Sequence, residues 1–422
     1  MAECSWYLCI DLKSFFASVE CVERGLDPMT TRLVVADDER SDTTICLAVT
    51  PAMKKLGVKN RCRVYEIPKR IDYIKARPRM RKYIDYSAEV YGVYLKYISK
   101  DDMHIYSIDE VFMDVTKYLP LYGMSARELG ETIRRDVYET TGIPASCGIG
   151  TNLYLAKIAL DITAKKSPDF IGILDEESYR ATLWDHRPIT DFWGIGRGIA
   201  DRLAAYGIYT MGGLATYPED TLYRKLGVDA EIFIDHAWGR EPTTIKDIKS
   251  YKGKSHSKST SQILPRGYAY GEGLLIAKEM AENLCTELFE KDLTADSMTL
   301  TVGYEGRARQ SDRGTIRFGS PTNSVSDVFN GITKLYPTVV DRFNEVRQIS
   351  ICFNNVEKQK CEQLDFFTDG EAREKEDRKM KAISGIRRKY GKNAILKGRD
   401  FEEYATQRER NGQIGGHRSG EK

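Results

Sequence analysis

Three acidic side chains have the type and spacing that metal-dependent chemistry needs. Asp11 ends an apolar run at residues 6–11, and Asp109-Glu110 interrupt a second apolar run at residues 104–115. The second run is typical of two buried strands joined by a tight turn, so neighbouring strands would bring the three carboxylates together. Such a cluster is costly by itself, because like charges repel and burial raises each pKa. Two Mg²⁺ ions about 4 Å apart would relieve that cost, activate a hydroxyl nucleophile and neutralise the charge on a triphosphate.

The same residues also fit a structural interpretation, in which turn carboxylates lie at strand ends without binding a metal. An isolated Asp-Glu pair is weak evidence, so spacing alone leaves both interpretations open. The surrounding sequence must decide between them.

Composition excludes several classes of protein. The chain has 422 residues, which predicts roughly three domains. Its 64 Lys and Arg against 62 Asp and Glu exclude a polycation and an acidic disordered chain. Nine Cys without a Cys-x-x-Cys pair and five dispersed His argue against a disulfide framework, a zinc ribbon or an iron–sulfur cluster. Without a secretory pattern or an uninterrupted apolar span, we expect a soluble protein of a reducing compartment.

The order of elements divides the chain into regions. Strands and helices alternate over residues 1–180, which indicates an α/β unit. Short helices punctuated by Gly follow at 186–240, and the polar, basic segment 241–262 resembles a linker. Residues 253–356 show the order βαββαβ of a ferredoxin-like small domain. Residues 370–422 are charged and poor in apolar side chains, which predicts a helical, partly disordered tail.

Two segments resemble the first and third motifs of the Y-family (UmuC/DinB) translesion DNA polymerases. They are Asp-Leu-Lys-Ser-Phe-Phe-Ala-Ser-Val-Glu at 11–20 and Tyr-Ser-Ile-Asp-Glu-Val-Phe-Met-Asp at 106–114. The resemblance continues in the family's order through 148–150, 156–159 and 193–196. The overall pattern is similar to the UV-damage repair proteins of Gram-positive bacteria and their mobile elements.

The resemblance implies an α+β multidomain fold with a ferredoxin-like palm, inserted fingers, a helix-hairpin-helix thumb and a βαββαβ little finger. The implied boundaries are a palm at 1–185 with fingers at about 23–85, a thumb at 186–240, a linker at 241–252, a little finger at 253–356, and a C-terminal tail with a clamp-binding peptide at 357–422.

The resemblance also assigns roles at the carboxylate cluster. Asp11, Asp109 and Glu110 would be the catalytic ligands of two Mg²⁺ ions, and the Leu12 carbonyl would complete one coordination shell.

An aromatic pair follows in the same motif. The resemblance implies that Phe15 and Phe16 lie under the incoming nucleotide, with Phe16 as the gate against ribonucleotides. A flat ring against the sugar leaves no room for a 2′-hydroxyl and offers it no hydrogen bond. Ordinary core aromatics are the alternative.

The triphosphate side departs from the family in two places. Lys157 follows a Gly-rich helix start and is implied to contact the triphosphate together with Lys165, with a solvated surface Lys as the alternative. The family usually reads Asp-Met-x-Lys-Pro around the second Lys, whereas this chain reads Asp-Ile-Thr-Ala-Lys-Lys-Ser-Pro at 161–168, which leaves the register of Lys165 open. In the fingers, Thr50 and Met53 align where many members carry a Tyr and an Arg that grip the triphosphate, so the resemblance implies a nucleotide-binding position at Thr50. We expect Lys54 or Lys55 to substitute for the missing groups as point charges.

Several segments are predicted to contact DNA without reading its sequence. Gly194, Gly196 and Arg197 open a helix-hairpin-helix whose backbone amides would approach a phosphate, although a plain helix connection is the alternative. The basic run 69–82 and the Lys-rich segment 246–258 would form charged walls around a duplex.

A short apolar peptide stands in polar surroundings near the C-terminus. Gln363, Leu364, Asp365, Phe366 and Phe367 resemble the Gln-Leu-x-Leu-Phe peptide by which bacterial polymerases bind the β sliding clamp. A short edge strand is the alternative.

Together these features predict a low-fidelity, template-directed DNA polymerase of the SOS response that transfers nucleotides from dNTPs to a primer 3′-hydroxyl. The expected partners are primer–template DNA, dNTPs, the β clamp and an accessory or recombinase protein, for a cytoplasmic, nucleoid-associated monomer. A palm-type nucleotidyl cyclase is a second interpretation, and it would not need the thumb, the basic small domain or the clamp peptide. A non-catalytic DNA-bound scaffold is a third, supported only by Thr50 and Met53.

Overall fold

The computed structural model describes residues 5–37, 41–253, 256–306, 311–359 and 370–420. The chain forms two compact units, which comprise residues 1–251 with 418–422 and residues 252–417. Each unit has hydrophobic cores of its own.

The first unit contains a five-stranded sheet and a three-stranded sheet. Its described strands are β1 (Tyr7–Leu12), β2 (Leu33–Val35), β3 (Ala48–Val49), β4 (Ile74–Ala76), β5 (Met103–Ile105), β6 (Glu110–Asp114), β7 (Ala145–Gly150) and β8 (Ile171–Leu174). The larger sheet has the order β5-β6-β1-β7-β8, with only the last pair parallel, and we call it the palm sheet. The smaller sheet, β3-β2-β4, lies within the segment predicted as fingers.

The central strand of the palm sheet is buried on both faces. Leu8 and Ile10 belong to one core, and Tyr7 and Cys9 belong to another on the opposite face. This alternation follows from the period of two along a strand, and it explains why the strand is an almost continuous apolar run. Its carboxylate is therefore carried by a rigid element.

Helices cover the palm sheet and continue into a helical region. They are α1 (Phe15–Val22), α2 (Pro51–Lys55), α3 (Met80–Tyr94), α4 (Tyr118–Tyr122), α5 (Ala126–Thr141), α6 (Leu153–Ile158), α7 (Ala164–Lys166), α8 (Glu176–Leu183), α9 (Arg197–Ala204), α10 (Met211–Ala215), α11 (Glu219–Leu226), α12 (Ala230–Trp238) and α13 (Ile245–Ser250). A π-helix, Ala159–Thr163, joins α6 to α7.

Two glycines allow α6 to lie directly against the palm sheet. A Cβ on Gly148 would stand 2.1 Å from the Ala156 carbonyl oxygen, and one on Gly150 would stand 2.2 Å from the Ala156 nitrogen. Only residues without a Cβ permit this approach. The Gly-x-Gly of the sequence is therefore a packing device that places α6 beside β1 and β7.

The predicted linker at 241–252 is only partly a linker. Thr244 caps α13 by accepting the Asp247 amide, and Ile245 is buried with Tyr7 and Cys9 against the palm sheet. The polar composition suggested an extended connection, but a capping box and two correctly spaced Ile residues are enough for a short packed helix.

The second unit has the predicted βαββαβ order. Its elements are β9 (Lys258–Tyr268), α14 (Tyr270–Glu290), β10 (Leu293–Tyr304), β11 (Ser311–Thr322), α15 (Val325–Val339) and β12 (Val346–Asn354), followed by β13 (Glu357–Lys358), α16 (Gly370–Tyr390), α17 (Gln407–Asn411) and β14 (Gln413–Ile414). The last strand, β15 (His417–Arg418), spans the residue boundary between the two units. The sheet order is β11-β10-β12-β9. Among the described residues, no helix is long and apolar enough to cross a membrane.

The C-terminal segment packs on this second unit, contrary to the prediction of a partly disordered tail. The Glu376 carboxylate accepts the amides of Val325 and Ser326 at 2.9 and 3.2 Å, and so caps the start of α15. Met380 is 6% exposed and belongs to the core of the unit.

Further along the same segment, the Thr406 amide donates to Glu279 Oε2 at 3.1 Å, and Arg410 donates to Gln262 Oε1 at 2.8 Å. Low apolar content was therefore a poor guide, because these contacts to α14 and β9 are mainly polar. The described part of the tail, residues 370–417, is an ordered part of the second unit.

Candidate active site

The three predicted carboxylates meet at one end of the palm sheet. Asp11 of β1 stands directly opposite Glu110 of β6, and the Leu12 amide donates to the Asp109 carbonyl at 2.9 Å. Burial, together with repulsion from Asp109 and Glu110, raises the pKa of Asp11 to about 7. The strand pairing therefore produces the clustered negative charge that the spacing predicted.

The partners of the three carboxylates differ. Glu110 Oε1 accepts the Cys9 thiol at 3.2 Å and lies 2.7 Å from Lys157 Nζ, which also lies 3.1 Å from Asp161. Burial lowers the pKa of Lys157, but Asp161 and Glu110 outweigh it and the net shift is upward. Lys157 is therefore a charged, buried partner of the Glu110 carboxylate, and its predicted triphosphate contact stays a prediction.

The other two carboxylates carry few contacts. Asp109 Oδ1 accepts the Ser107 hydroxyl at 2.6 Å, while no donor in the described part of the chain is hydrogen-bonded to the Asp11 carboxylate. A half-buried carboxylate that lacks a donor and repels its neighbours is suited to a cation.

These residues fit divalent magnesium by their chemistry. Within the described ranges, no three acidic, His or Cys side chains are already arranged as a metal cage. Mg²⁺ usually binds through one or two carboxylates, waters and substrate phosphates, so a cage complete in protein ligands is not required. The oxygen donors of Asp11, Asp109 and Glu110, with the Leu12 carbonyl, are of the kind that this hard cation prefers.

The two predicted nucleotide aromatics have different environments. Phe16 is half-buried, and its ring stacks on Tyr83 with centroids 4.5 Å apart and planes 15° apart. Phe15 is 2% exposed in the palm core, so the prediction that its ring lies under the nucleotide is wrong. Both aromatics follow Ser14, whose positive φ of 48° turns the chain sharply at the start of α1. Consecutive residues of a helix point about 100° apart, so one ring faces the core and the other stays near the surface.

The fingers residue Thr50 does not face a ligand. Its side chain has no exposed surface, and its hydroxyl accepts the Leu33 amide at 3.2 Å. Met53 is equally buried, in the core of the three-stranded sheet. The assignment of Thr50 to nucleotide binding is therefore corrected to a packing role, because position in an alignment does not determine which side of α2 a residue occupies.

Lys54, by contrast, is exposed and lies in the field of Asp11 and Lys165. Surrounding protein atoms partly desolvate its ammonium group and so lower its pKa. Lys165 acts in the same direction, whereas Asp11 opposes the shift. Lys165 stands just after the π-helix Ala159–Thr163. A π-turn holds one residue more than an α-turn, and this one precedes the Lys165-Lys166 pair whose register the sequence left open.

Sequence reasoning missed Lys13, which lies between the carboxylate and the aromatic pair. Its Nζ stands 3.5 Å from the centre of the Phe170 ring. The pKa of Lys13 is lowered to about 8. Burial is the main cause, Lys54, Arg134 and Lys165 contribute in the same direction, and Asp11 opposes the shift. A basic residue two positions after the predicted metal-site Asp11 was the available signal. Lys13 and Lys54 both lie in the field of Asp11, and Lys165 lies in the field of both lysines.

The thumb turn is open to solvent. Gly194 has a φ of +88°, and Gly196 precedes the first turn of α9, which begins at Arg197. All three residues are exposed, and a Cβ on either glycine would meet no atom within 4 Å. Backbone amides at this turn are accessible to a phosphate, which is the geometry that the DNA prediction requires.

The basic run 69–82 contains cations that are held in ion pairs within the chain. In the basic run 69–82, Arg79 pairs with the fully buried Glu20 at 2.8 Å, and Lys82 pairs with Glu23 at 2.6 Å. The predicted contact of the run 69–82 with DNA stays a prediction. The predicted clamp peptide at 363–367 lies outside the described residues.

Comparisons with known proteins give the family. Residues 10–161 match the impB/mucB/samB family, and residues 255–366 match the C-terminal domain of that family. The putative UV-damage repair protein UvrX of Bacillus subtilis (strain 168) is 31% identical over 98% of this chain and 97% of its own length. DNA polymerase IV 2 of the same organism is 30% identical over 97% of each chain.

The fold has a solved counterpart. The Y-family DNA polymerase chimera Dbh-Dpo4(243-245)-Dbh superposes with a TM-score of 0.65 at 20% identity, covering 84% of this chain and 99% of the chimera. It matches the expected arrangement of palm, fingers, thumb and little finger. With two matching family domains and relatives that align over nearly its whole length, the chain belongs to the impB/mucB/samB family of Y-family DNA polymerases.

Proposed function

We propose that this chain copies damaged templates from a catalytic centre formed by Asp11, Asp109 and Glu110. As a Y-family member it is a DNA-directed DNA polymerase of translesion synthesis in DNA repair. The observation that carries the assignment of the centre is the pairing of Asp11 with Glu110 beside Asp109, together with the raised pKa of Asp11.

Asp11, Asp109, Glu110 and the Leu12 carbonyl would hold two Mg²⁺ ions. When bound, these ions supply activation of the primer hydroxyl and neutralisation of the phosphate charge. The protein contributes a rigid arrangement, because the carboxylates stand on paired strands. The reaction is in-line attack of the primer 3′-hydroxyl on the α-phosphate of a dNTP, with pyrophosphate as the leaving group.

The cations beside the carboxylates are suited to the triphosphate. Lys13, Lys54 and Lys165 repel one another in the free protein, so a polyanion placed among them gains from all three. Their ammonium groups bind as point charges without the bidentate geometry of Arg. Lys157 holds Glu110 in place, and a triphosphate contact for it is part of the same proposal.

The half-exposed Phe16 ring is the proposed sugar gate. Its stacking on Tyr83 holds the ring flat, so a 2′-hydroxyl would meet carbon atoms and lose its hydrogen bonds to water. Deoxyribonucleotides avoid both costs.

Two surfaces support DNA binding without sequence preference. One is the thumb turn of Gly194, Gly196 and Arg197. The other is the open face of the second unit's sheet, where Arg313 and Arg317 are exposed beside a series of hydroxyl side chains. Phosphate contacts of this kind carry affinity but no sequence information, which suits an enzyme that must copy any template.

The peptide Gln363, Leu364, Asp365, Phe366 and Phe367 is the proposed hook for the β sliding clamp. Replacing Phe366 and Phe367 together by Ala should abolish clamp pull-down while synthesis without the clamp continues. Phe343→Ala is a matched control, because Phe343 is 96% exposed in the same unit and should not affect the pull-down. Intact clamp binding by the double variant would refute the assignment.

We further propose that the enzyme works as a monomer at the bacterial nucleoid, with an accessory or recombinase protein as an additional partner. Its substrates there are primer–template DNA and dNTPs, and its low fidelity follows from the family.

One assay tests the central proposal. Extension of a labelled primer–template with Mg²⁺ and dNTPs should proceed with the wild type and stop with Asp109→Ala. Asp114→Asn is the control, because Asp114 stands on the same strand β6 but outside the cluster. Failure of the wild type to extend, or full activity of Asp109→Ala, would contradict the proposed centre.

A further inference from the structure

We infer that a column of four rings, Tyr106, Trp193, His236 and Tyr154, positions the catalytic carboxylates and thereby sets the affinity of the site for divalent cations. This inference rests on the proposed function, since it concerns the same carboxylates. None of the four residues touches the reacting atoms in this proposal, so they are positioning residues.

The column begins in the turn that carries the carboxylates. The amides of Tyr106 and Ser107 donate to the Glu110 carbonyl at 3.0 and 3.1 Å, which closes the turn around Asp109. Ser107 then holds the Asp109 carboxylate through its hydroxyl. The position of Tyr106 therefore determines where Asp109 and Glu110 stand.

Trp193 fixes the side chain of Tyr106. Its indole Nε1 donates to the Tyr106 hydroxyl at 3.1 Å, and the two rings meet edge to face with centroids 5.9 Å apart. Phe112, two residues after Glu110 on β6, packs against both rings. An aromatic residue that is 44% exposed needs such an anchor, because packing alone does not immobilise it.

Trp193 is itself held from the other side. Its ring lies parallel to His236 of α12 with centroids 6.3 Å apart, and His236 stacks on Tyr154 at 3.9 Å. The second imidazole contact is to Glu241 Oε2 at 2.9 Å, which fixes the plane of the ring. The column thus runs from the catalytic turn through the thumb helix to α6.

Helix α6 connects the column back to the carboxylates through Lys157. Tyr154 stands one helical turn before Lys157 on that helix, and Lys157 Nζ lies 2.7 Å from Glu110 Oε1. Lys157 Nζ also lies 5.8 Å from the centre of the Tyr106 ring. Asp109 is thus held from the turn and Glu110 from α6, and the column links the two supports.

This arrangement should matter most for cation binding. Groups that orient metal ligands from behind typically change metal affinity by roughly 10- to 100-fold when removed. Here the ligands also repel one another, so they separate when the support is loosened, and a cation must then draw them together again.

The test removes the hydrogen bond between Trp193 and Tyr106 from either partner while keeping a six-membered aromatic ring at both positions. Trp193→Phe deletes the donor, Tyr106→Phe deletes the acceptor, and the double variant deletes both. Trp184→Phe is the matched control, because Trp184 also donates through Nε1, at 2.9 Å to the Ala237 carbonyl, but outside the column. Mn²⁺ binding is measured by electron paramagnetic resonance on full-length protein with a dideoxy-terminated primer–template and dNTP, so no turnover is needed.

We expect both single variants to weaken Mn²⁺ binding roughly tenfold and to raise the Mg²⁺ concentration for half-maximal extension by a similar factor. The double variant should resemble the single variants, because the same hydrogen bond is lost in each. Unfolding temperatures and DNA affinity should stay near those of the wild type. Asp109→Ala defines which Mn²⁺ ions belong to the site.

Three results would overturn the inference: unchanged Mn²⁺ affinity in both single variants, additive losses in the double variant, or an equal loss in the Trp184→Phe control. Normal extension by the wild type with unchanged Mn²⁺ affinity in the variants would leave the proposed function intact. Weakened Mn²⁺ binding in the variants of a wild type that extends no primer would instead refute the function and support the column.

Discussion

The palm sheet and the sheet of the little finger, which is the second unit, are built alike but present different surfaces. Both are mainly antiparallel, with β1 and β10 as their central strands. The palm sheet is covered on both faces, and its charged groups are concentrated at one end. The little-finger sheet buries Met298, Leu300 and Val302 on one face only. Its other face carries exposed hydroxyl side chains at Ser259, Ser261 and Thr315.

The difference separates two physical tasks. A sheet that is buried on both faces holds carboxylates firmly enough to tolerate their repulsion, which chemistry requires. A sheet with an open hydroxyl-rich face can lie along a duplex and contact many sequences equally. Changes at the palm end should therefore affect individual steps of the reaction, whereas changes on the little-finger face should alter DNA affinity as a whole.

The largest effect is expected at the palm end from Asp11→Asn. The substitution removes one of three repelling carboxylates, so the rate of primer extension should fall by roughly 10³-fold, while the unfolding temperature without metal should rise. Extension kinetics and calorimetry in EDTA measure the two changes. A variant that loses both activity and stability would contradict the idea that the cluster is strained in the absence of cations.

The sugar gate should give the next largest effect. Phe16→Ala opens space beside the sugar, so discrimination against ribonucleotides should fall by roughly 10²-fold in single-nucleotide insertion. Tyr83→Phe keeps the stacked ring and should leave the discrimination nearly unchanged. An unchanged sugar preference in Phe16→Ala would remove the gate.

The cation cluster should act on nucleotide affinity. Lys13→Ala removes one of several charges near the triphosphate, so the KM for dNTP should rise about tenfold with a smaller change in kcat. Lys166→Ala is the control with the same loss of charge, because Lys166 is exposed and follows Lys165 in the sequence. Equal effects of the two variants would show that only net charge matters and not the position of Lys13.

The smallest effect is expected on the little-finger face. Arg313→Ala and Arg317→Ala should each weaken primer–template binding a few-fold and reduce the dependence of affinity on salt by about one phosphate contact. The KM for dNTP should not change. Lys334→Ala, on the exposed side of α15, should leave the salt dependence unaltered, and an equal change there would erase the distinction between the faces.

Strong local patterns made much of the fold predictable from the sequence. The turn between β5 and β6 interrupts an apolar run with Asp109 and Glu110, and the alternating strands and helices of the little finger gave its order correctly. Phe15 and Thr50 were placed wrongly because a sequence does not show which side chains at the start of α1 and of α2 face the core. The ordered tail was missed because polar contacts such as those of Glu376 leave no hydrophobic pattern.

Lys13 illustrates a different limit. Its position beside the Asp11 carboxylate was visible, but its nearness to Lys54, Arg134 and Lys165 depends on three separate segments that meet only in the folded chain. The hydrophobic periodicity of a single helix or strand carries no information about which distant segments come together on folding.

The π-helix between α6 and α7 has a consequence for how this lineage can change. An inserted residue that widens a single turn leaves the residues before and after it in their former places, so the gene can gain a codon there without losing the lysine downstream. Removing Thr163 should restore a regular helix and leave Lys165 close to its neighbours, because the wide turn alone takes up the additional residue. The wide turn therefore allows the chain to gain or lose a residue at this point while Lys165 keeps its position.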